Sequence, residues 1–398
     1  VRLDLTDGSE QVLHEEADED LAEIINFDLY DGKIDMVIPQ VGDVTPVGFT
    51  KAGKKLATLI AKQGQHVSID RLRWAGNGDF VTATLSVDAQ SYSYHIFDLN
   101  LGTDTKISDF YFKTKHTDAL VPTETVQITA RDGMKLNALL LRPKGVDGAA
   151  PMVLEVHGGP AGQVKWEYHH FRQFLVNRGY AVLAVNFRGS SGLGKIYQAA
   201  GYGEYGRKMQ DDLVDATLWA IDQGIADPKA IAINGSSYGG YASAMGLVRD
   251  PDLFKAGIIE HAMLDVAYQS QYPPHSWGLY LGQWERYFGD INSPGDMEKM
   301  HQRSPINLVA QMQAAALMVA GKRDPVVGFE QTERFITKAK DLGKNIDSLI
   351  FENEGHGIDK WQSKIRHARR VEDFLAEHLG GRSGNWDWIE PIAAYLDK

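Results

Sequence analysis

The sequence predicts an α/β protein: a mostly parallel sheet flanked by helices, with a smaller all-β domain in front of it. Three observations predict this. Beyond about residue 120, short apolar runs alternate with helical segments, the pattern of repeated strand-helix units joined by right-handed crossovers. The apolar runs are only a few residues long and near-continuous, as strands buried on both faces should be. Ahead of residue 120 the helices drop out, and runs of strand character fall between Gly, Asn and Asp turns. The boundary is placed between Leu120 and Val121, giving a β-rich domain over 1–120 and an α/β domain over 121–398.

In the first domain, Lys55–Ala61, Asp79–Leu85 and Tyr92–Leu99 read as strands, and Trp74–Asp79 reads as a turn between two of them. In the second, strands are expected at Met152–Val156, Ala181–Asn186, Ala230–Ile233, Gly257–Glu260, Leu317–Ala320 and Leu349–Phe351. Helices are expected at Tyr168–Asn177, Lys208–Asp222, Glu330–Asp341 and Gln362–His378. Met209, Leu213, Ala216, Thr217, Ala220 and Ile221 lie on one face of the second helix, which suits packing on a sheet.

The most informative segment is Gly235-Ser236-Ser237-Tyr238-Gly239-Gly240, directly after the strand Ala230–Ile233 and before a helix-compatible stretch. Gly-x-Ser-x-Gly at a strand-to-helix turn is a nucleophile elbow. The glycines leave room for a sharp bend that exposes the serine hydroxyl, and the next backbone N–H opens a helix, where an oxyanion is favoured. A serine nucleophile also needs a base and a carboxylate that orients the base. Downstream strand ends supply both in the order expected of an α/β hydrolase: Asp324 after Ala314–Ala320, then His356 after Asp347–Phe351. Asp341, Asp347 and Glu352 are weaker acids by position, lying in a helical stretch or beside the histidine's own strand. The loop His157-Gly158-Gly159-Pro160 follows the strand Met152–Val156 and offers a second oxyanion N–H, assigned to Gly159 with Gly158 as the alternative. His157 is read as orienting that loop and not as a second base.

These motifs resemble the catalytic domain of the prolyl oligopeptidase family of serine peptidases, in particular its acylaminoacyl-peptidase and dipeptidyl-peptidase-like branches. The resemblance covers roughly Pro122 to Arg382. It rests on Thr129–Gly133 with Leu139–Pro143, His157–Pro160, Asn186–Gly192, Gly235–Tyr241, Arg303-Ser304-Pro305 and Glu354–Gly357, in that order. It implies the triad Ser237, Asp324 and His356 and an oxyanion hole from the amides of Gly159 and Tyr238. The chain departs from the family at Asp324-Pro325-Val326-Val327-Gly328, where Asp-x-Arg-Val-Pro is frequent, so a looser acid loop is expected. It also departs upstream. The family's propeller has seven or eight blades of ~40–45 residues each, whereas about 120 residues here hold fewer than three. The first domain is therefore expected to be partial-propeller-like, either natural or the remainder of a longer protein. Unpaired strand edges in such a domain invite self-association, so a homo-oligomer built through this region is expected.

The expected chemistry is acyl transfer through an acyl-enzyme, on a short peptide or small-molecule ester. A carboxylesterase acting on small or aryl esters is the alternative, and a non-catalytic binding module of the same fold is a further one. The aromatic stretch between the serine and aspartate strands supplies the candidate pocket wall: Trp277, Tyr280 and Trp284.

Composition excludes other classes. With 398 residues, 43% hydrophobic and 24% charged, the chain has ordinary globular usage. Its net charge of −12 argues against a nucleic-acid partner. No apolar run reaches the ~20 residues of a membrane helix, and no signal-peptide pattern opens the chain. A soluble protein of the cytoplasm or periplasm is expected, although a first residue other than Met leaves room for a removed leader. The lack of cysteine removes disulfides and thiol chemistry. Gly201–Gly206 spells G-x-G-x-x-G but follows no strand, and His169-His170 lacks metal-ligand spacing, so neither a cofactor nor a metal is implied.

Overall fold

The structure is a computed structural model that describes residues 2–3, 6–15, 19–27, 33–39, 46–64, 67–75, 78–87, 92–109, 117–278, 281–384 and 388–396. The chain divides into two compact units. One comprises 1–117 with the short segments 165–168 and 192–196, and the other comprises the rest. Local periodicity carries no signal for the two returning segments.

The larger unit is built on an eight-stranded sheet: β1 (Glu124–Thr129), β2 (Lys135–Leu141), β3 (Ala150–Val156), β4 (Ala181–Asn186), β5 (Ala226–Ser236), β6 (Ala256–Glu260), β7 (Ala315–Gly321) and β8 (Ile346–Phe351). Their spatial order is β1-β2-β4-β3-β5-β6-β7-β8. The first three run antiparallel to their neighbours in the hairpin β1-β2 and the pair β2-β4, and every pair from β4 onward is parallel. Helices cover both faces: α1 (His170–Asn177), α2 (Lys208–Asp222), α3 (Tyr238–Arg249), α4 (Phe329–Asp341) and α5 (Trp361–Leu379). Along the central strands, residues alternate between two cores. Leu154, Leu183 and Ile233 pack with Met209 and Leu213 of α2, while Val153, Val182 and Leu317 pack with Leu175 of α1 and Phe374 and Leu375 of α5. This alternation is why strands buried on both faces read as continuous apolar runs.

Parallel strands with their crossovers behind them present all their C-terminal ends on one edge, where ligands of open α/β sheets bind. That edge receives the loops after β3, β5, β7 and β8.

The smaller unit has a three-stranded sheet (Leu21–Ile25, Met36–Pro39, Val47–Gly48) and a four-stranded antiparallel meander (Val67–Ala75, Phe80–Val87, Ser93–Asp98, Thr103–Asp109). Four strands in a meander are the content of one propeller blade. One expected strand is corrected here: Lys55–Ala61 belongs to an α-helix, Lys51–Ala61. Its apolar residues Leu56, Leu59 and Ile60 are buried at helical spacing against Ile25, Met36 and Val81, and the Thr50 hydroxyl caps the helix by accepting the Gly53 N–H. Seven residues are a short window for fixing a period, and here the i, i+3, i+4 spacing and the cap together decide it.

Candidate active site

The elbow forms because strand β5 ends at Ser236 and helix α3 begins at Tyr238, leaving one residue for the reversal. Ser237 takes φ 60° and ψ −118°, a conformation that an L-residue rarely adopts. Its N–H donates to the Glu260 carbonyl at 2.9 Å, and its own carbonyl receives the Tyr241 N–H. The flanking glycines are sterically required. A Cβ at Gly239 would lie 2.0 Å from the Val156 carbonyl oxygen, and one at Gly235 would lie 2.5 Å from the backbone of Gly239. Both obstacles are main chain, so no side-chain movement could relieve them.

The structure brings Ser237, His356 and Asp324 into one hydrogen-bonded row. The Ser237 Oγ is 2.9 Å from His356 Nε2, and His356 Nδ1 is 2.7 Å from Asp324 Oδ2. With Nδ1–H donating to the carboxylate, Nε2 is left as an acceptor for the serine proton, the tautomer a general base needs. The side chain of Asp324 is 3% exposed and that of His356 22%, so the carboxylate is shielded while the imidazole can be reached.

The acid loop is tighter than Gly328 suggests. Asp324 Oδ1 accepts N–H bonds from Val326 at 2.8 Å and Val327 at 2.9 Å, closing an Asx-type turn on itself. Two side chains from a distant segment also hold the loop. The Ser276 hydroxyl donates to the Pro325 carbonyl at 2.6 Å, and the Trp277 indole N–H donates to the Val326 carbonyl at 3.0 Å. These bonds do what the absent Arg and Pro would do by restricting the chain.

Across from the elbow, the His157–Pro160 loop runs close to Ser237, and a Cβ at Gly158 would lie 3.4 Å from Ser237 Cβ. His157 Nδ1 is 2.8 Å from the Gly158 carbonyl, its Nε2 is 2.8 Å from Ser190 Oγ, and its ring stacks on Phe187 with centroids 4.3 Å apart. Burial pushes this imidazole down to about 4. It is neutral, both its nitrogens are engaged, and it fixes the loop carbonyl. Tyr238, as the first helical residue, has an N–H with no carbonyl a turn behind it. Among the described residues the amides of Gly158 and Gly159 also donate to no loop carbonyl.

A cavity of about 580 Å³ opens beside this loop, lined by Gly158–Gly162, Ser276, Trp277, Gln283, Trp284, Tyr287 and Val326. Trp277 and Trp284 stack with centroids 5.0 Å apart and planes 10° apart, forming an aromatic wall. Trp277 is therefore both pocket wall and anchor of the acid loop. Tyr280 lies outside the described residues. Two further residues at the site carry no motif: Glu260, whose carbonyl holds the Ser237 amide, and His261, whose ring stands edge-on to His356 with centroids 5.8 Å apart. Their signal in the sequence is position alone, at the end of the strand between those that carry Ser237 and Asp324.

An α/β-hydrolase sheet with a serine elbow, a hydrogen-bonded histidine and a shielded aspartate defines the class, and comparison with known proteins gives the family. The sequence profile described as "Prolyl oligopeptidase family" matches residues 166–382, more than half of the chain. The chain belongs to the prolyl oligopeptidase family of serine peptidases. It is 34% identical over 336 residues to dipeptidyl aminopeptidase BIII of Pseudoxanthomonas mexicana, covering 79% of this chain and 48% of that protein. It is 24% identical to acylamino-acid-releasing enzyme 1 of Oryza sativa subsp. japonica over 69% of this chain and 36% of that enzyme. The chain thus spans less than half the length of these relatives. In fold it is similar to a puromycin-hydrolyzing peptidase of Mycobacterium tuberculosis, with TM-score 0.75 at 24% identity, covering 90% of this chain and 54% of that one. It is likewise similar to Pyrococcus horikoshii acylaminoacyl peptidase, with TM-score 0.74 at 21% identity, covering 94% and 58%.

Proposed function

We propose that the larger unit is the catalytic domain of a serine peptidase that cleaves short peptides through an acyl-enzyme, with Ser237 as nucleophile, His356 as base and Asp324 as orienting acid. The observation that carries the reading is the row of two hydrogen bonds, 2.9 and 2.7 Å, that ends on a half-buried serine in a strained backbone conformation. Ser237 Oγ attacks the scissile carbonyl as its proton passes to His356 Nε2. The imidazolium, held by Asp324, returns the proton to the leaving amine as the tetrahedral centre collapses. A water then repeats the sequence on the acyl-enzyme. The amides of Gly159 and Tyr238 receive the oxyanion at each tetrahedral stage.

The cavity beside the oxyanion loop favours an apolar or aromatic side chain on the acyl side of the scissile bond, because Trp277, Trp284, Tyr287 and Val326 form most of its wall. Two measurements test the proposal. A fluorophosphonate should label Ser237 and nothing else, and aminoacyl arylamides with Phe or Leu on the acyl side should be hydrolysed faster than those with Asp or Lys. A folded, unlabelled protein would remove the nucleophile, and a preference for charged side chains would remove the pocket assignment. Aryl esters turned over with no arylamide hydrolysed would replace the peptidase by an esterase.

A further inference from the structure

Strand β6 ends at Glu260, and the residue directly after it, His261, retains features that a stability-optimised fold would shed. His261 is 2% exposed and adopts φ 46°, in the left-handed region that favours Gly or Asn. Among the described residues its Nε2 has no hydrogen-bond partner, and neither has Asn234 Oδ1. Both residues line a cavity of about 610 Å³ behind the elbow, under Phe171 and Phe174 of α1 and Lys364 and His367 of α5. A buried, unpaired polar atom and an unfavourable backbone conformation each lower stability, and such costs concentrate where a position serves the site.

What the dipeptide touches explains its retention. The Glu260 carbonyl accepts the Ser237 N–H and so holds the nucleophile in its strained conformation. The next residue's ring packs edge to face against the catalytic imidazole, with planes 70° apart, while its N–H is fixed on the Val319 carbonyl at 2.9 Å. The Glu260 carboxylate in turn accepts the His367 Nε2–H at 3.1 Å, reaching the helix that follows the His356 loop. Burial opposes charge on both partners. The pairing nonetheless keeps Glu260 below the usual carboxylate range and His367 above its ordinary value.

We propose that Glu260-His261 is a positioning unit: its backbone sets the Ser237 rotamer axis, its imidazole edge confines the His356 ring, and the Glu260–His367 pair locks the strand end to helix α5. This rests on the triad reading above. The unit touches no substrate and acts only through Ser237 and His356.

His261→Asn and His261→Phe separate ring from backbone. Asn tolerates the left-handed conformation but removes the ring edge, whereas Phe keeps the edge and removes both nitrogens, the unpaired Nε2 and the Nδ1 that stands 3.4 Å from Ser236 Oγ. For His261→Asn, kcat and the rate of fluorophosphonate labelling should fall together, by about tenfold to a hundredfold, the scale of a small misplacement of catalytic groups, with KM within twofold. For His261→Phe, both rates should stay within about threefold of wild type, with an unchanged or higher melting temperature. His367→Phe keeps the ring against Phe171 but removes the donor to Glu260, so it breaks the lock from the helix side and should lower kcat several-fold at constant KM, and the proposal is tested even where a His261 variant does not fold. Wild-type kcat in folded His261→Asn overturns the proposal, as does equal impairment of the two His261 variants or a silent His367→Phe. Absence of labelling in the wild type would instead overturn the triad reading itself.

Discussion

Replacing Ser237 by glycine and, separately, by alanine distinguishes what this residue does for chemistry from what it costs the fold. Both substitutions remove Oγ and its bond to His356, so their shared effect is chemical, and turnover should drop by about five to six orders of magnitude, as when a Ser-His-Asp unit loses its nucleophile. Their difference is conformational. At φ 60° and ψ −118° alanine keeps the steric conflict of serine, while glycine removes it. Strain of this kind is worth about 1–3 kcal/mol, and the greater freedom of glycine in the unfolded chain takes back about 0.5–1 kcal/mol. Ser237→Gly should therefore be more stable than Ser237→Ala by roughly 0.5–2 kcal/mol, or a few degrees in Tm for a domain of this size. The assay is differential scanning calorimetry of the two variants beside arylamide turnover. Equal melting temperatures would refute strain at the elbow. A folded variant of either kind that retains more than a tenth of the wild-type rate would refute the nucleophile.

Removing the base has the same chemical consequence, so His356→Ala should match Ser237→Ala in turnover, with circular dichroism confirming the fold. Burial pushes His157 and His169 down to about 4 and lowers His170 and His261 as well. Their unfolded forms take up protons near the ordinary histidine value of about 6.5 while the folded forms stay neutral. Stability should thus fall as pH drops from about 6.5 to about 4, by up to about 1.4 kcal/mol per pH unit for each such group. The raised His367 works in the other direction, its contribution complete below about 6.5 and lost only as pH rises through its folded value. Urea midpoints at pH 7 and pH 5 check this, and His169→Asn, which keeps a capping acceptor for helix α1, should flatten the slope. Trp284→Ala opens the pocket wall and should raise KM for Phe-arylamide by about tenfold or more, whereas Trp277→Phe loses the bond to Val326 and should lower kcat instead. Self-association through the β-rich first unit should give a particle larger than the 44.1 kDa chain by light scattering, and a strictly monomeric particle would remove that expectation.

Much of this arrangement was legible in the order of residues along the chain. The alternation of apolar runs and amphipathic stretches carries the parallel sheet, because a strand buried on both faces and a helix buried on one have different periods. A parallel sheet sends every strand end to one edge, so Ser237, Asp324 and His356 could be placed together from strand ends alone. Lys55–Ala61 was misread because seven residues are too few to settle a period: Leu56, Leu59 and Ile60 stand at i, i+3 and i+4, and with the Thr50 cap they mark a helix. The tertiary structure alone decided what steadies the acid loop: Ser276 and Trp277 reach it from 49 residues away, and no local pattern specifies that approach. It alone paired Glu260 with His367, 107 residues apart, and set His261 against His356. Periodicity records which side of an element is buried, whereas the partner of a buried polar group depends on which elements meet across the core, and that is settled only when the chain packs.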